Sequence, residues 1–540
     1  MKGVKFMSRA AGILMPITSL PTRCGIGTIG KDAYEFANFL KGAGQKYWQI
    51  LPVGPTSYGD SPYQSFSTFA GNPYMIDLDT LCSEGLLTAA DYKNIDWGSN
   101  PNYIDYAKVY NNRFDVLRIA FKNFKKKSPE REEEQKEFKA WCSSAKNKTW
   151  LDNYSLYMAV KMHFNNQAWT DWEDEDIRLR KPDAIKLYKT KLRNDISFWK
   201  FVQFKFYQQW EKFRAYVNGL GIQIIGDMPI YVAMDSADTW ANPDVFWLTE
   251  DRQPVCVAGC PPDYFSQTGQ LWGNPIYDWE YLKKTGYKWW FERIKAASEL
   301  FDITRIDHFR AFDSYWAIPF PAENAIGGSW KEGPGIEFFN LMKKELGDLP
   351  IIAEDLGTLT PGVIQLLKDS GYPGMKVLEF AFDSDEENNY LPHTYTPNCV
   401  VYSGTHDNDT LIGWANTAKK ECVQFAREYC KMKDDEPFNW GIIRTAFESV
   451  GDTVIIQMQD FLGLGAEARL NTPSTLGGNW EWRINKEYAA DGLAKKIREL
   501  TKKTNRLEEN DTMANTEKNP ILEKLEHRPK AQRQLRPRAG

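Results

Sequence analysis

Residues 338–354 read Phe-Phe-Asn-Leu-Met-Lys-Lys-Glu-Leu-Gly-Asp-Leu-Pro-Ile-Ile-Ala-Glu. Apolar residues recur at helical spacing as far as Leu346, Gly347 supplies a stop, and a short apolar run from Pro350 to Ala353 ends in the carboxylate of Glu354. A strand this continuously apolar has no face to give to water, and such strands are buried on both sides, as parallel strands covered by helices are. The same grammar recurs on either side of it. Asp32 to Leu40 predicts a helix with Asp32 as N-cap, Gly42 and Gly44 end it, and Tyr47 to Leu51 follows as a strand. Phe213 to Val217 leads through Gly219 and Gly221 into Ile222 to Asp227. The candidate strands are Tyr47–Leu51, Tyr74–Leu78, Ile222–Asp227, Asp302–Asp307, Ile351–Glu354, Met375–Ala381, Val400–Ser403 and Val454–Met458. Eight helix-linked parallel strands predict an α/β fold, a closed (β/α)8 TIM barrel.

At 540 residues the chain could hold several domains, but one elaborated barrel also accounts for that length. The expected organisation is a barrel over residues 1–503, a mostly helical insertion at about 81–199, and a disordered tail at 504–540. The insertion is rich in Lys, Glu and helix formers, and the run Lys122 to Lys136 reads as a solvated face. The tail has too few apolar residues to order itself. Lys plus Arg (67) nearly balance Asp plus Glu (72), a net charge of −5 that lacks the basic excess of a nucleic-acid binder. The eight cysteines are scattered; only Cys256 and Cys260 are close, with no second pair nearby to complete a zinc site. Free thiols in a reducing compartment fit better. No run is long enough to span a bilayer. The apolar stretch Ala10 to Met15 is short, ends at Pro16 and lacks a cleavage pattern, so a cytoplasmic location is expected.

The chemistry-bearing residues gather at strand ends. Arg305-Ile306-Asp307-His308-Phe309-Arg310 closes one strand, Ala353-Glu354-Asp355-Leu356-Gly357 the next, and Gly404-Thr405-His406-Asp407-Asn408-Asp409 follows a third. In a barrel such ends converge on the face that carries active sites. Three acids there are unfavourable unless used or paired, and Arg305 and His406 are the candidates to hold them. Paired carboxylates are what glycosidic cleavage needs: a proton donor for the leaving oxygen and a nucleophile or base for the anomeric carbon. Each acid alone could equally be a helix cap or an ion-pair partner; three flanked by Arg and His favour catalysis. Aromatics make up 14% of the chain, with 20 Trp. Most of these rings belong to the core, while some can serve as platforms on which sugar rings stack.

These segments resemble the α-amylase superfamily, and the whole chain resembles its glycoside hydrolase family 77 branch, the amylomaltases or disproportionating enzymes (4-α-glucanotransferases). The similarity runs from Ala11-Gly12-Ile13-Leu14-Met15-Pro16-Ile17-Thr18-Ser19-Leu20-Pro21 to Trp480-Glu481-Trp482-Arg483. Between them lie Ser61-Pro62-Tyr63-Gln64, Gly226-Asp227-Met228-Pro229-Ile230-Tyr231, Gly269-Gln270-Leu271-Trp272-Gly273-Asn274-Pro275 and Asn471-Thr472-Pro473-Ser474-Thr475. Any one of these motifs is weak evidence; the ordered set is specific.

The resemblance implies Asp307 as nucleophile, Glu354 as general acid/base and Asp407 as transition-state stabiliser. It implies substrate-binding roles for Tyr63, Asp227, Asp263, Trp272, Arg305, His308 and His406, with Asp263 and Trp272 on a loop closing over the bound chain. Some relatives carry Glu where this chain has Gln267, so no charged role transfers there. It further implies maltooligosaccharides and α-1,4-glucans as donors and acceptors, no cofactor or metal, and a monomer or homodimer. The expected reaction is a retaining double displacement in which Glu354 holds a proton and Arg305 keeps Asp307 ionised. Two alternatives stand beside it: an amylase-type hydrolase with water as acceptor, and a non-catalytic glucan-binding protein. The second has no need of all three acids.

Overall fold

The stretch 338–354 folds as its pattern predicts. A helix over Gly335–Leu346 buries Phe338, Phe339 and Met342, and Gly347 ends it at a φ of 80°, where a side chain would be strained. Burying each of those three side chains contributes on the order of 2 kcal/mol. The computed structural model describes residues 7, 9–57, 59–262, 266–357, 359–383, 388–489 and 492–508.

Twelve strands are formed among the described residues. Eight are β1 (Ala10–Leu14), β2 (Tyr47–Gln49), β3 (Gln223–Met228), β6 (Ile303–Ile306), β9 (Ile351–Ala353), β10 (Gly374–Val377), β11 (Cys399–Tyr402) and β12 (Thr453–Gln457). The others are β4 (Cys256–Cys260), β5 (Gln270–Pro275), β7 (Ser314–Pro319) and β8 (Ser329–Glu332). The first set forms one parallel sheet in the order β10-β11-β12-β1-β2-β3-β6-β9. Its two edges approach each other, and the Ala353 amide donates to the Pro373 carbonyl at 3.0 Å, so the barrel is nearly closed. The second set is an antiparallel sheet, β5-β4-β7-β8, contributed by the chain after β3 and after β6. It stands at the barrel end where the strands terminate.

Seven of the eight barrel strands coincide with the expected runs; one expected strand is corrected. Tyr74–Leu78 is not a strand. Asn72 accepts from the Tyr74 amide and opens a 3-10 turn at Pro73–Met75, and Asp77 then accepts from the Thr80 amide and caps a helix over Leu78–Ser83. The missing barrel strand is β1, Ala-Ala-Gly-Ile-Leu, buried throughout. Gly12 is required there: a Cβ would sit 2.5 Å from the Cβ of Tyr47 on the neighbouring strand. The first helix runs Lys31–Gly42 with Gly30 as N-cap, so Asp32 lies in its first turn rather than at the cap.

The insertion is helical, with helices at Tyr106–Phe124, Pro129–Ser143, Leu151–His163 and Pro182–Lys191, and it runs into Arg193–Gly219, which returns to the barrel beside β3. Its charged run is not wholly a solvated face. Glu134 pairs with Lys205, whose side chain is 1% exposed, and Lys205 also reaches Glu84 at 2.9 Å. The tail does not begin at 504 as expected. Arg506 is buried and donates to the carbonyls of Phe447, Ala10, Asp452, Ser449 and Gly451, joining the first strand to the segment that leads into the last. The remainder of the expected tail, 509–540, lies outside the described residues. No helix among the described residues is long and apolar enough to cross a membrane.

Candidate active site

The ends of β3 and β6 build the centre of the site. Parallel register sets Asp227 beside Arg305, and the Arg305 guanidinium donates from Nη1 to both Asp227 oxygens at 2.8 Å and to Asp307 Oδ1 at 3.0 Å. The pair is dry: the Arg305 side chain is 4% exposed and that of Asp227 0%, whereas Asp307 keeps 27% of its side chain open toward the cleft. Arg305 and Asp227 thus form a buried pair left with one uncompensated direction, toward Asp307.

Glu354 follows β9 directly. Its Oε2 accepts from the His308 amide at 2.7 Å and its Oε1 from the Leu356 amide at 2.8 Å, which fixes the carboxyl against the segment that carries Asp307. Burial pushes the Glu354 carboxyl up to about 7, with Arg305 pulling it down and the Asp307 carboxylate adding to the rise. Asp307 is pushed up by burial to about 6, opposed chiefly by Arg305. Two acids that share one cation therefore differ in solvation: Glu354 is buried and holds its proton longer, and Asp307 is the better hydrated and ionises first.

His406 and Asp407 arrive from the loop after β11. His406 Nε2 lies 3.4 Å from Asp407 Oδ2, and Asn471 Nδ2 donates to Asp407 Oδ1 at 2.7 Å. Burial presses His406 toward the neutral form, but the Asp407 carboxylate prevails and its pKa is raised. For Asp407 burial acts upward, and His406 together with Asn471 overcomes it, holding the carboxyl at about 2. Tyr63 ties the two halves together. Its hydroxyl donates to Asp227 Oδ2 at 2.7 Å and lies 3.3 Å from His406 Nδ1, and the two rings stack with centroids 4.9 Å apart. His308 adopts a left-handed backbone at φ 51° and meets Trp272 of β5 edge to face at 4.8 Å. Burial, helped by Arg310, holds His308 down at about 3, so it is neutral at physiological pH.

The structure thus brings Asp307, Glu354, Asp407, Tyr63, Asp227, Arg305, His308, His406 and Trp272 into one connected set. Asp263 lies outside the described residues, and Gln267 is exposed in a turn. Sequence reasoning assigned no role to four residues that belong here. Asn471 and Arg469 hold Asp407, by its carboxylate and by its backbone carbonyl. Trp480 packs on both Tyr63 and His406 at 5.8 Å. Asp460 brackets the catalytic loop: its Oδ2 accepts from Ser403 Oγ at 2.6 Å and its Oδ1 from the Leu411 amide at 2.8 Å, one partner on each side of residues 404–410. The signal for Asn471 and Trp480 was present, since both lie in motifs that carried the resemblance. Asp460 had none.

A family model for 4-alpha-glucanotransferases, glycoside hydrolase family 77, matches residues 15–488. Over 490 residues the chain is 51% identical to a 4-alpha-glucanotransferase of Clostridium butyricum, covering 90% of this chain and 99% of the relative. Over 512 residues it is 42% identical to the 4-alpha-glucanotransferase of Thermus thermophilus, covering 93% of this chain and 100% of the relative. Among solved structures, it superposes on an amylomaltase from Streptococcus agalactiae in complex with acarbose with a TM-score of 0.90 and 43% identity, covering 93% of this chain and 100% of that one.

Proposed function

The chain belongs to glycoside hydrolase family 77, the 4-alpha-glucanotransferases, and from that premise we propose how its own residues move a glucan segment. Donor and acceptor are maltooligosaccharides and longer α-1,4-glucans. Asp307 attacks the anomeric carbon while Glu354 protonates the departing 4-oxygen, leaving a covalent glucosyl-enzyme. Glu354, now a carboxylate, takes the proton of the acceptor's 4-hydroxyl as that oxygen displaces Asp307, and two inversions restore the α configuration. Asp407 lies across the ring where positive charge develops, its ionised form secured by His406 and Asn471. Tyr63 offers its ring to the glucose at the cleavage point, and Trp272 and His308 wall the other side of the cleft. These side chains complete both displacements.

The observation that carries this reading is the different setting of two neighbouring acids. Arg305 donates to the part-exposed Asp307 at 3.0 Å and favours its carboxylate, whereas Glu354 is buried without an ion-pair contact to Arg305 and burial pushes its carboxyl up. Transfer rather than hydrolysis then depends on the acceptor. Water is present at roughly 55 M, so a sugar hydroxyl must be held at a higher effective molarity, which well-oriented groups readily exceed. Incubating the enzyme with pure maltotriose tests the reading. Glucose and chains longer than the starting material should appear together while total reducing ends stay constant. Reducing ends that rise with substrate loss, with no longer chains at any time, would identify a hydrolase. Binding without turnover would identify a glucan-binding protein.

A further inference from the structure

We propose that the indole of Trp330, on β8 of the small antiparallel sheet, is a docking platform for an α-1,4-glucan chain at a distance from the bond being cut. The proposal rests on the glucan-transfer reading above and adds to it a second contact for long substrates. Trp330 is 45% exposed, and all of β8, Ser329–Glu332, faces solvent. Of the twelve large apolar side chains exposed among the described residues, four (Leu271, Phe320, Ile326 and Trp330) lie on this sheet or on the connection between β7 and β8. That clustering is what distinguishes a binding surface from ordinary scattered exposure.

The ring is also held ready. The Arg310 guanidinium carbon sits 4.4 Å from the Trp330 ring centroid, covering one region of the π surface. Trp316, directly opposite in the β7–β8 register, meets Trp330 edge to face at 5.3 Å. Trp316 is itself pinned, donating from Nε1 to the Ala325 carbonyl at 2.9 Å. A ring fixed on two sides but still nearly half exposed loses little freedom when something stacks on it. The apolar face of a glucose ring suits such a surface, as the polar rim of the sugar remains in water. The platform stands near the cleft along the chain: Arg310, which packs on the Trp330 ring, follows Asp307 by three residues, at most about 11 Å of extended chain. A protein partner would demand roughly 800 Å² on each side, whereas a glucan needs one ring face per sugar.

The test compares Trp330→Ala, Trp330→Phe and, as a surface control in the helical insertion, Leu187→Ala. Disproportionation is followed with maltotriose and with amylose, and amylose affinity is read separately from retardation in amylose-containing native gels. Trp330→Ala should raise the amylose KM about three- to tenfold and reduce gel retardation, with maltotriose kinetics essentially unchanged. Trp330→Phe should restore much of the affinity, and Leu187→Ala should behave as wild type. Unchanged amylose KM and retardation in Trp330→Ala would overturn the proposal, as would an equal loss on both substrates or a change in oligomeric state, which would assign Trp330 to the scaffold or to a subunit contact. Should the wild-type enzyme fail to disproportionate maltotriose, the transfer reading falls, and gel retardation still scores the platform.

Discussion

At the scale of single residues, the site is a problem in keeping one carboxyl protonated and its neighbour ionised. Because Asp307 is needed as carboxylate and Glu354 as acid, kcat/KM should rise as pH passes about 6 and fall above about 7. The two limbs belong to the coupled pair rather than to either acid alone. Glu354→Gln should lower kcat by about 10²–10⁴-fold and remove the alkaline limb. The same variant makes a stability prediction. A carboxyl raised in the folded state favours folding at low pH, and that contribution is lost as pH rises from about 4.5 through about 7. Glutamine has no proton to lose, so Glu354→Gln should melt above wild type at pH 8, with the difference closing toward pH 4.5; an equal difference at both pH values would contradict the assignment. These acids were legible from sequence because each ends an apolar strand and the barrel brings strand ends together. Asp460 was not: its partners Ser403 and Leu411 lie about fifty residues away, and nothing near it in the chain marks it as different from any helical Asp.

At the scale of elements, Asp460 acts as a clasp on the loop that presents His406 and Asp407. Burial raises its carboxyl to about 7, so near neutrality it serves partly as a neutral hydrogen-bonding group, a part asparagine can play. Asp460→Asn should therefore stay close to wild type, whereas Asp460→Ala should lower kcat about tenfold or more by letting the loop drift; steady-state kinetics with maltotriose would separate the two. The expected strand Tyr74–Leu78 fails for a related reason. Its apolar run has the composition of a strand, but Asn72 and Asp77 offer local side-chain caps that turn the backbone into helix. β1 was illegible in the opposite sense, since Ala-Ala-Gly carries little β propensity and its place is dictated by contact with Tyr47, not by local preference. The chain end makes a further prediction. Truncation after Glu508 removes only the polar segment and should leave melting temperature and activity unchanged. Truncation after Lys503 also removes Arg506 and strands buried carbonyls, a destabilisation of about 3–5 kcal/mol that denaturant titration would detect.

At the scale of the whole molecule, the repeated helix–glycine–strand unit was enough to announce a barrel, because parallel strands buried on both faces admit few other architectures. The small sheet carrying Trp272, Trp316 and Trp330 was not announced at all. Its strands are short, one of them is wholly exposed, and their pairing depends on segments that only the folded barrel brings together. The helical insertion was visible in composition, yet the pairing of its half-buried Glu134 with the buried Lys205 of the helix that follows was not, since a charge run gives no hint of which members turn inward. Closure of the barrel has one more consequence, and it concerns time. β1 lies between β2 and β12, so its wholly buried edge toward Thr453–Gln457 is left open until the last strand has been made. A ribosome adding 5–20 residues per second takes roughly 20–90 s to travel from one to the other. For that interval the nascent chain carries an unpaired apolar edge of five residues, and the cell must shelter it or synthesise quickly.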